Sequence, residues 1–441
     1  MVMKRIIITL LLAGSVISAS AQRHLDTLTQ YRRSSLYSVL IQHSIMENAD
    51  VIHDVYFEMP MPDKFNDHNL DIRTIESTAD RVIRRGKSKK KDRFNFADVE
   101  AQLIGQGSTQ EMVAKWFNRD AGTGICNHDL IGERGLYDAS QYEIAIADQT
   151  ILGRSDLANN GMELIGNTYL LVNDVTFVDK GKASRTAAEI VIILGRLFNV
   201  DMDDLGGLIN EYDGYKINVT SYLYQLEWDE ERLQGFYDKY YISSRMSPEE
   251  QRARYEAFRN IADSDTTVFG INYIGRTKAS GNVVSLKSYA RKSKDEQFLI
   301  ACTRAMDKSL VNLQREYEAF KVNVPIYRIN DDGTVDVQIG LKEGVNKKSK
   351  YQVLMPELDE NGALSYREIG TIVPIEGKIW DNRFGALEEA EFRALENKAA
   401  KGEAAQGNAY LEATTFKVVG VTNPQKFVGC VVREVKVGKA K

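Results

Sequence analysis

Asn167-Thr168-Tyr169-Leu170-Leu171-Val172-Asn173-Asp174-Val175-Thr176-Phe177-Val178 is a continuous apolar run that turns to alternation at Val175 and Phe177. A half-solvated strand alternates throughout, so such a run predicts a strand covered on both faces. Residues 187–198 follow, apolar almost all round through Ile190, Val191, Ile192, Ile193, Leu194, Leu197 and Phe198, which predicts a buried helix. Residues 215–228 return as a long strand. Its apolar positions are odd at first (Tyr215, Ile217, Val219) and even later (Tyr222, Tyr224, Leu226, Trp228), a phase change that predicts a bulge near Thr220-Ser221 or a change of partner. Strand, helical crossover and strand together predict a layered α/β core.

The chain has 441 residues, enough for two or three domains, and its 43% hydrophobic and 27% charged residues are those of a globular protein. The opening residues carry an address. Lys4-Arg5 precede an apolar stretch at 6–17, and Ala19-Ser20-Ala21 before Gln22 has the small-x-small cleavage pattern. This predicts a signal peptide over 1–21 and an exported chain, periplasmic or outer-membrane-associated to extracellular. No Cys stands at the cleavage point, so no lipid anchor is expected, and no later stretch is apolar over the ~20 residues a membrane-spanning helix needs. Without Lys4 and Arg5 the net charge moves from −5 to about −7, which favours solubility and argues against general nucleic-acid binding.

Four segments are expected: the signal peptide; residues 22–135, strand and helix packed on the core; the core at 136–320; and a small C-terminal β-barrel, SH3-like or similar, at 321–441. In the first region, residues 36–45 are readable as strand or helix. Residues 50–57 alternate at Val51, Val55 and Phe57 and stop at Pro60 and Pro62, as an edge element would. Residues 76–85 suit a helix, and residues 84–93 are a dense basic run read as a solvated loop. Residues 98–117 predict one or two helices. Ser108 is expected to cap the second, with Glu111 closing a capping box, rather than Gly105-Gln106-Gly107 cradling phosphate. Helix is also expected at 138–161 and 229–241, and Ser247-Pro248-Glu249-Glu250 marks a helix start. Residues 268–275 and 283–286 read as a hairpin turning at 278–282. The clearest amphipathic helix is 296–320, with a stripe at Phe298, Cys302, Ala305, Met306, Leu310, Leu313, Tyr317 and Phe320. Short strands follow at 322–326, 335–339, 351–358, 366–375, 410–419 and 428–437, interrupted by a helical insertion at 385–409.

Chemistry is sparse. Cys126-Asn127-His128-Asp129 contains metal-ligand types, but no second His or Cys cluster lies near it, and the chain has only five His. Cys126, Cys302 and Cys430 are expected as buried free thiols. Asp201, Asp203, Asp204, Glu211 and Asp213 form the densest acidic cluster, which a solvated helix face explains more simply than a glycosidase pair. No Gly-x-Ser-x-Gly elbow occurs. No catalytic, cofactor or metal residue is assigned on this reading, and no cofactor is expected.

Gly340-Leu341-Lys342-Glu343-Gly344-Val345, running into Tyr351-Gln352-Val353-Leu354, resembles the glycine–x–x–x–glycine–valine entry to the barrels of periplasmic accessory proteins. Gly370-Thr371-Ile372-Val373-Pro374 is similar to a later strand of those barrels. The layout resembles the curli secretion channel and flagellar assembly-protein families, in which an α/β domain with a long helix leads into further strands. The insertion at 385–409 and the absent lipidated Cys depart from that pattern. The whole chain also resembles uncharacterised exported proteins of Bacteroides-type bacteria. The resemblance implies a non-enzymatic envelope protein acting in assembly, scaffolding or adhesion, with envelope proteins or its own copies as partners. Twenty-one Tyr suit such interfaces. A glycan- or small-ligand-binding role, with the ligand between the two domains, is the alternative; a hydrolase of envelope polymers is the third.

Overall fold

The computed structural model describes residues 34–43, 49–60, 65–67, 70–76, 96–138, 163–179, 215–260, 265–282, 294–358, 364–401, 407–421 and 423–435. The signal peptide, the basic run at 84–93, the helices expected at 187–198 and across 139–161, and the acidic cluster at 201–213 lie outside them.

A mixed sheet and a closed barrel make up the strands. The sheet runs β2 (Asn66–Asp67), β1 (Ser35–Gln42), β4 (Thr168–Asp179), β5 (Tyr215–Glu227), β6 (Gly270–Asn282), with β3 (Thr74–Glu76) also on β1. β1 pairs parallel to β4, whereas β4–β5 and β5–β6 are antiparallel. The central run of β4 is buried on both faces, as its composition requires. Leu170 and Val172 face one core with Tyr37, Val39, Tyr222 and Tyr224. Tyr169, Leu171 and Val175 face the other with Leu36, Leu40, Ile217 and Leu223. The first core is covered by α2 (Phe96–Gly105), α3 (Ser108–Trp116), α4 (Asp129–Asp138) and α5 (Glu230–Lys239). The second is covered by α1 (Ala49–Glu58) and α7 (Lys294–Glu316). Between α5 and β6 lies α6 (Pro248–Arg259), whose N-cap Ser247 accepts from the Glu250 N–H at 3.2 Å, with Pro248 at its first position.

Several expectations are corrected by this arrangement. Residues 49–58 are a helix, burying Ile52, Val55 and Tyr56 at spacings of three and four; Val51 and Val55 are equally i and i+4, and eight residues are too few to separate the two periods. Of the two readings of 36–45 the strand is the one found, and β1 lies inside the sheet between β2 and β4. β5 pairs with β4 without a break from Tyr215 to Gln225, so no bulge sits at Thr220-Ser221. The phase change instead reflects two covered faces: Ile217, Val219 and Leu223 pack under α7, and Tyr222, Tyr224 and Leu226 on the opposite core. The one irregularity is against β6, between Leu223 and Tyr224.

Residues 283–286 lie outside the described residues, and the turn expected at 278–282 is strand instead, because β6 continues through 278–282 along β5. Its glycines serve close approach: a Cβ at Gly281 would lie 2.1 Å from the Ala301 carbonyl oxygen of α7, and one at Gly275 would meet the Tyr317 ring. Ser108 does not cap α3. Gly107, left-handed at φ 74°, occupies the cap position, and Ser108 is buried. The Glu111 carboxylate accepts from the Asp71 N–H at 2.7 Å and pairs with Lys115 at 2.6 Å.

The barrel is closed in the order β10 (Leu364–Pro374), β11 (Thr414–Val419), β8 (Val335–Val337), β7 (Val324–Ile329), β12 (Val431–Glu434), β9 (Tyr351–Leu358). All six pairings are antiparallel. Its core holds Val335, Val337, Val353, Ile372, Phe416, Phe427 and Val432. α8 (Ala386–Lys401) is inserted between β10 and β11. No described helix is long and apolar enough to cross a membrane.

Candidate functional site

α7 carries two stripes. Phe298, Cys302, Ala305 and Leu313 bury against the sheet. Arg304, Val311 and Arg315, at offsets of seven and eleven, lie on a second face that meets the barrel side of the molecule. Eleven residues are about three helical turns, so the two arginines stand roughly 16 Å apart along one line. The Arg304 guanidinium donates to the Phe384 carbonyl (3.1 and 2.8 Å) and pairs with Glu389 of α8. Arg315 clasps Glu434 of β12 through two hydrogen bonds, 2.8 Å from Nε and 2.7 Å from Nη2, and Nη2 also donates to the Gly344 carbonyl at 3.0 Å. The Glu434 carboxylate holds the Arg315 guanidinium above its ordinary pKa.

The glycine motif before β9 builds the other half of this contact. Gly344 is left-handed (φ 74°), and a Cβ there would come 3.0 Å from both Val311 and Arg315. Gly340 faces the Trp380 carbonyl oxygen, where a Cβ would be 2.3 Å away. Between them, Glu343 accepts from the Gly340 N–H at 2.7 Å and the Asn382 amide at 2.8 Å, and Val345 plugs into the barrel core. Tyr351 is buried beside Glu434, and burial first, then that carboxylate, raises its phenol pKa.

Around the clasp the α7 face and the barrel enclose a cleft of about 990 Å³. Leu310, Val311, Val324, Ile339 and Val432 give it apolar wall, and Asn312, Gln314, Asn346 and Lys348 bring polar groups to it. That volume is at the upper end for small-molecule pockets. The tether from α7 to β7 is fixed to the sheet, with the Phe65 and Phe320 rings stacked at 5.1 Å and the Tyr169 hydroxyl bonded to the Ala319 carbonyl.

The metal-type run at 126–129 is used otherwise. His128 shares a 2.7 Å hydrogen bond with the Tyr237 hydroxyl and stacks on Tyr241 at 5.5 Å, and burial lowers its pKa. Arg119 Nη1 approaches the Cys126 sulfur at 3.6 Å. Among the described residues no three His, Cys, Asp or Glu gather as a metal site. Cys126, Cys302 and Cys430 are free and buried, and burial pushes the Cys302 thiol up to about 12 and the Cys430 thiol to about 11. Cys430 precedes β12 rather than lying within a strand.

Sequence reasoning singled out the motif at 340–345 but missed its partners. The available signal was the second stripe of α7, where arginines three turns apart flank a valine. No family model matches the chain, and no curated protein matches it with significance.

Proposed function

We propose that this protein is a non-enzymatic, exported component of the cell envelope that acts in assembly or scaffolding by binding a partner in the cleft between α7 and the barrel. The observation that carries this reading is the cleft itself, an apolar-walled space with convergent amides, set where two separately cored units meet. Interfaces between such units are common binding positions. The sequence signs of export and the barrel-entry motif support the location and the class.

A cross-linked pull-down from the native envelope tests it, comparing the wild-type chain with Gln314→Trp, which fills the cleft from the half-buried wall of α7. One stoichiometric partner held by the wild type and lost by the variant is the expected result. A clean monomer without a partner, or a partner that the variant retains, overturns the proposal. The second reading, a carrier of a glycan or small ligand, is favoured by the amides of Asn312, Gln314 and Asn346 at the cleft and is read out by a glycan array.

A further inference from the structure

We infer that the cleft takes an acidic peptide segment with apolar side chains; this rests on the binding role proposed above and names its ligand class. Charge complementarity selects the ligand. Four carboxylates line the cleft: Glu434 is engaged by Arg315 and Glu343 by the Gly340 N–H and Asn382, while Asp307 and Glu316 stand on α7. Lys321 and Arg433, both at the cleft, share the single carboxylate of Glu318. The barrel lip is a turn fixed by its own hydrogen bonds: the Asn346 N–H donates to Ser349 Oγ (3.0 Å), the Lys348 N–H to Asn346 Oδ1 (2.9 Å) and the Ser349 N–H to the Asn346 carbonyl (2.8 Å). Of that turn's three exposed lysines, Lys348 lines the cleft and Lys347 and Lys350 flank it along the chain, in a protein whose net charge is −5.

The lip is therefore a local reversal of the protein's overall sign. Asp307 and Glu316, both on the helix side, set the polarity, so acidic groups of the ligand face the barrel lip and not α7. The apolar wall residues accept apolar side chains. The amides of Asn312 and Gln314 both donate and accept, which matches main-chain peptide groups; an acyl chain has no groups to meet them.

The test uses the full chain and a labelled peptide of alternating glutamate and leucine, with its lysine–leucine counterpart, followed by fluorescence anisotropy. The acidic peptide is expected to bind at least about tenfold more tightly, and more weakly as salt rises. The triple variant Lys347→Glu, Lys348→Glu, Lys350→Glu is expected to remove that preference with an unchanged circular dichroism spectrum, since all three side chains are exposed. Gln314→Trp is expected to abolish binding of either peptide. Equal affinities, or a preference that survives the charge reversal, overturn the ligand class. So does displacement of the acidic peptide by a neutral oligosaccharide. A native partner lost in Gln314→Trp but indifferent to the lysine variant retains the cleft's binding role and rejects the acidic peptide alone.

Discussion

Asn173 stands in the middle of β4, wholly buried, and uses both ends of its amide. Its Nδ2 donates to the Tyr56 hydroxyl at 2.9 Å, and its Oδ1 accepts from Ser221 Oγ at 2.7 Å, with Ser309 Oγ of α7 a further 2.7 Å on. α1, β4, β5 and α7 thus share one polar chain inside an apolar layer. Replacing Asn173 by Leu removes both amide hydrogen bonds, while Tyr56 keeps Ser38 and Ser221 keeps Ser309, at an expected total cost of about 1–3 kcal/mol in urea unfolding. Gly281→Ala is expected to destabilise by about 1–3 kcal/mol, because its methyl meets the Ala301 backbone carbonyl and a helix must shift to admit it. A thermal melt unchanged in that variant would contradict the close approach. His128 sets a pH dependence. Burial depresses its folded-state pKa below the ordinary imidazole value of about 6.5, so the unfolded chain takes up the proton first. Its contribution is complete above the unfolded pKa and is lost as pH falls through the folded one. The urea midpoint difference between wild type and His128→Gln should therefore shrink from about pH 7 towards about pH 5.

At the scale of elements, α7 explains both what was legible and what was not. Its sheet-facing stripe, Phe298 to Leu313, repeats at three and four over about four turns, long enough to exclude any other period, and β4 announces its two covered faces by an unbroken apolar run. α6 was legible because Ser247 and Pro248 suit only a helix start. α1 was misread because its apolar residues satisfy both periods. β6 was misread because a glycine in sequence signals a turn unless the helix above it is known. The barrel's hairpins could be read from their turns, but its closure pairs strands far apart in sequence, which no local pattern encodes. The cleft was half legible: glycines at 340 and 344 stood out, whereas Arg315 and Glu434 are ordinary charges until the fold brings them together. Arg315→Ala removes the clasp and leaves Glu434 partly buried without its partner. Hydrogen exchange at the Gly344 and Val345 amides should speed up in that variant, while exchange in β4 and β5 stays as in the wild type. Equal protection at Gly344 would show that the glycine contact with Val311 alone seats the barrel.

At the scale of the whole molecule, the order of events follows from where Glu434 sits. It belongs to β12, which pairs with β7 on one side and β9 on the other and so closes the barrel. Its partner Arg315 is 119 residues away along the chain. Pairings across such separations form slowly, since the entropy of closing the loop is lost before any contact compensates for it. A chain that has not yet seated β12 has two open strand edges and no clasp, hence no finished cleft. In refolding, the acidic peptide should begin to bind only in the slow phase that completes the barrel, and binding in an earlier phase would refute this order. The cleft thus exists only in chains whose barrel has closed, so any ligand of the cleft would meet only completed copies.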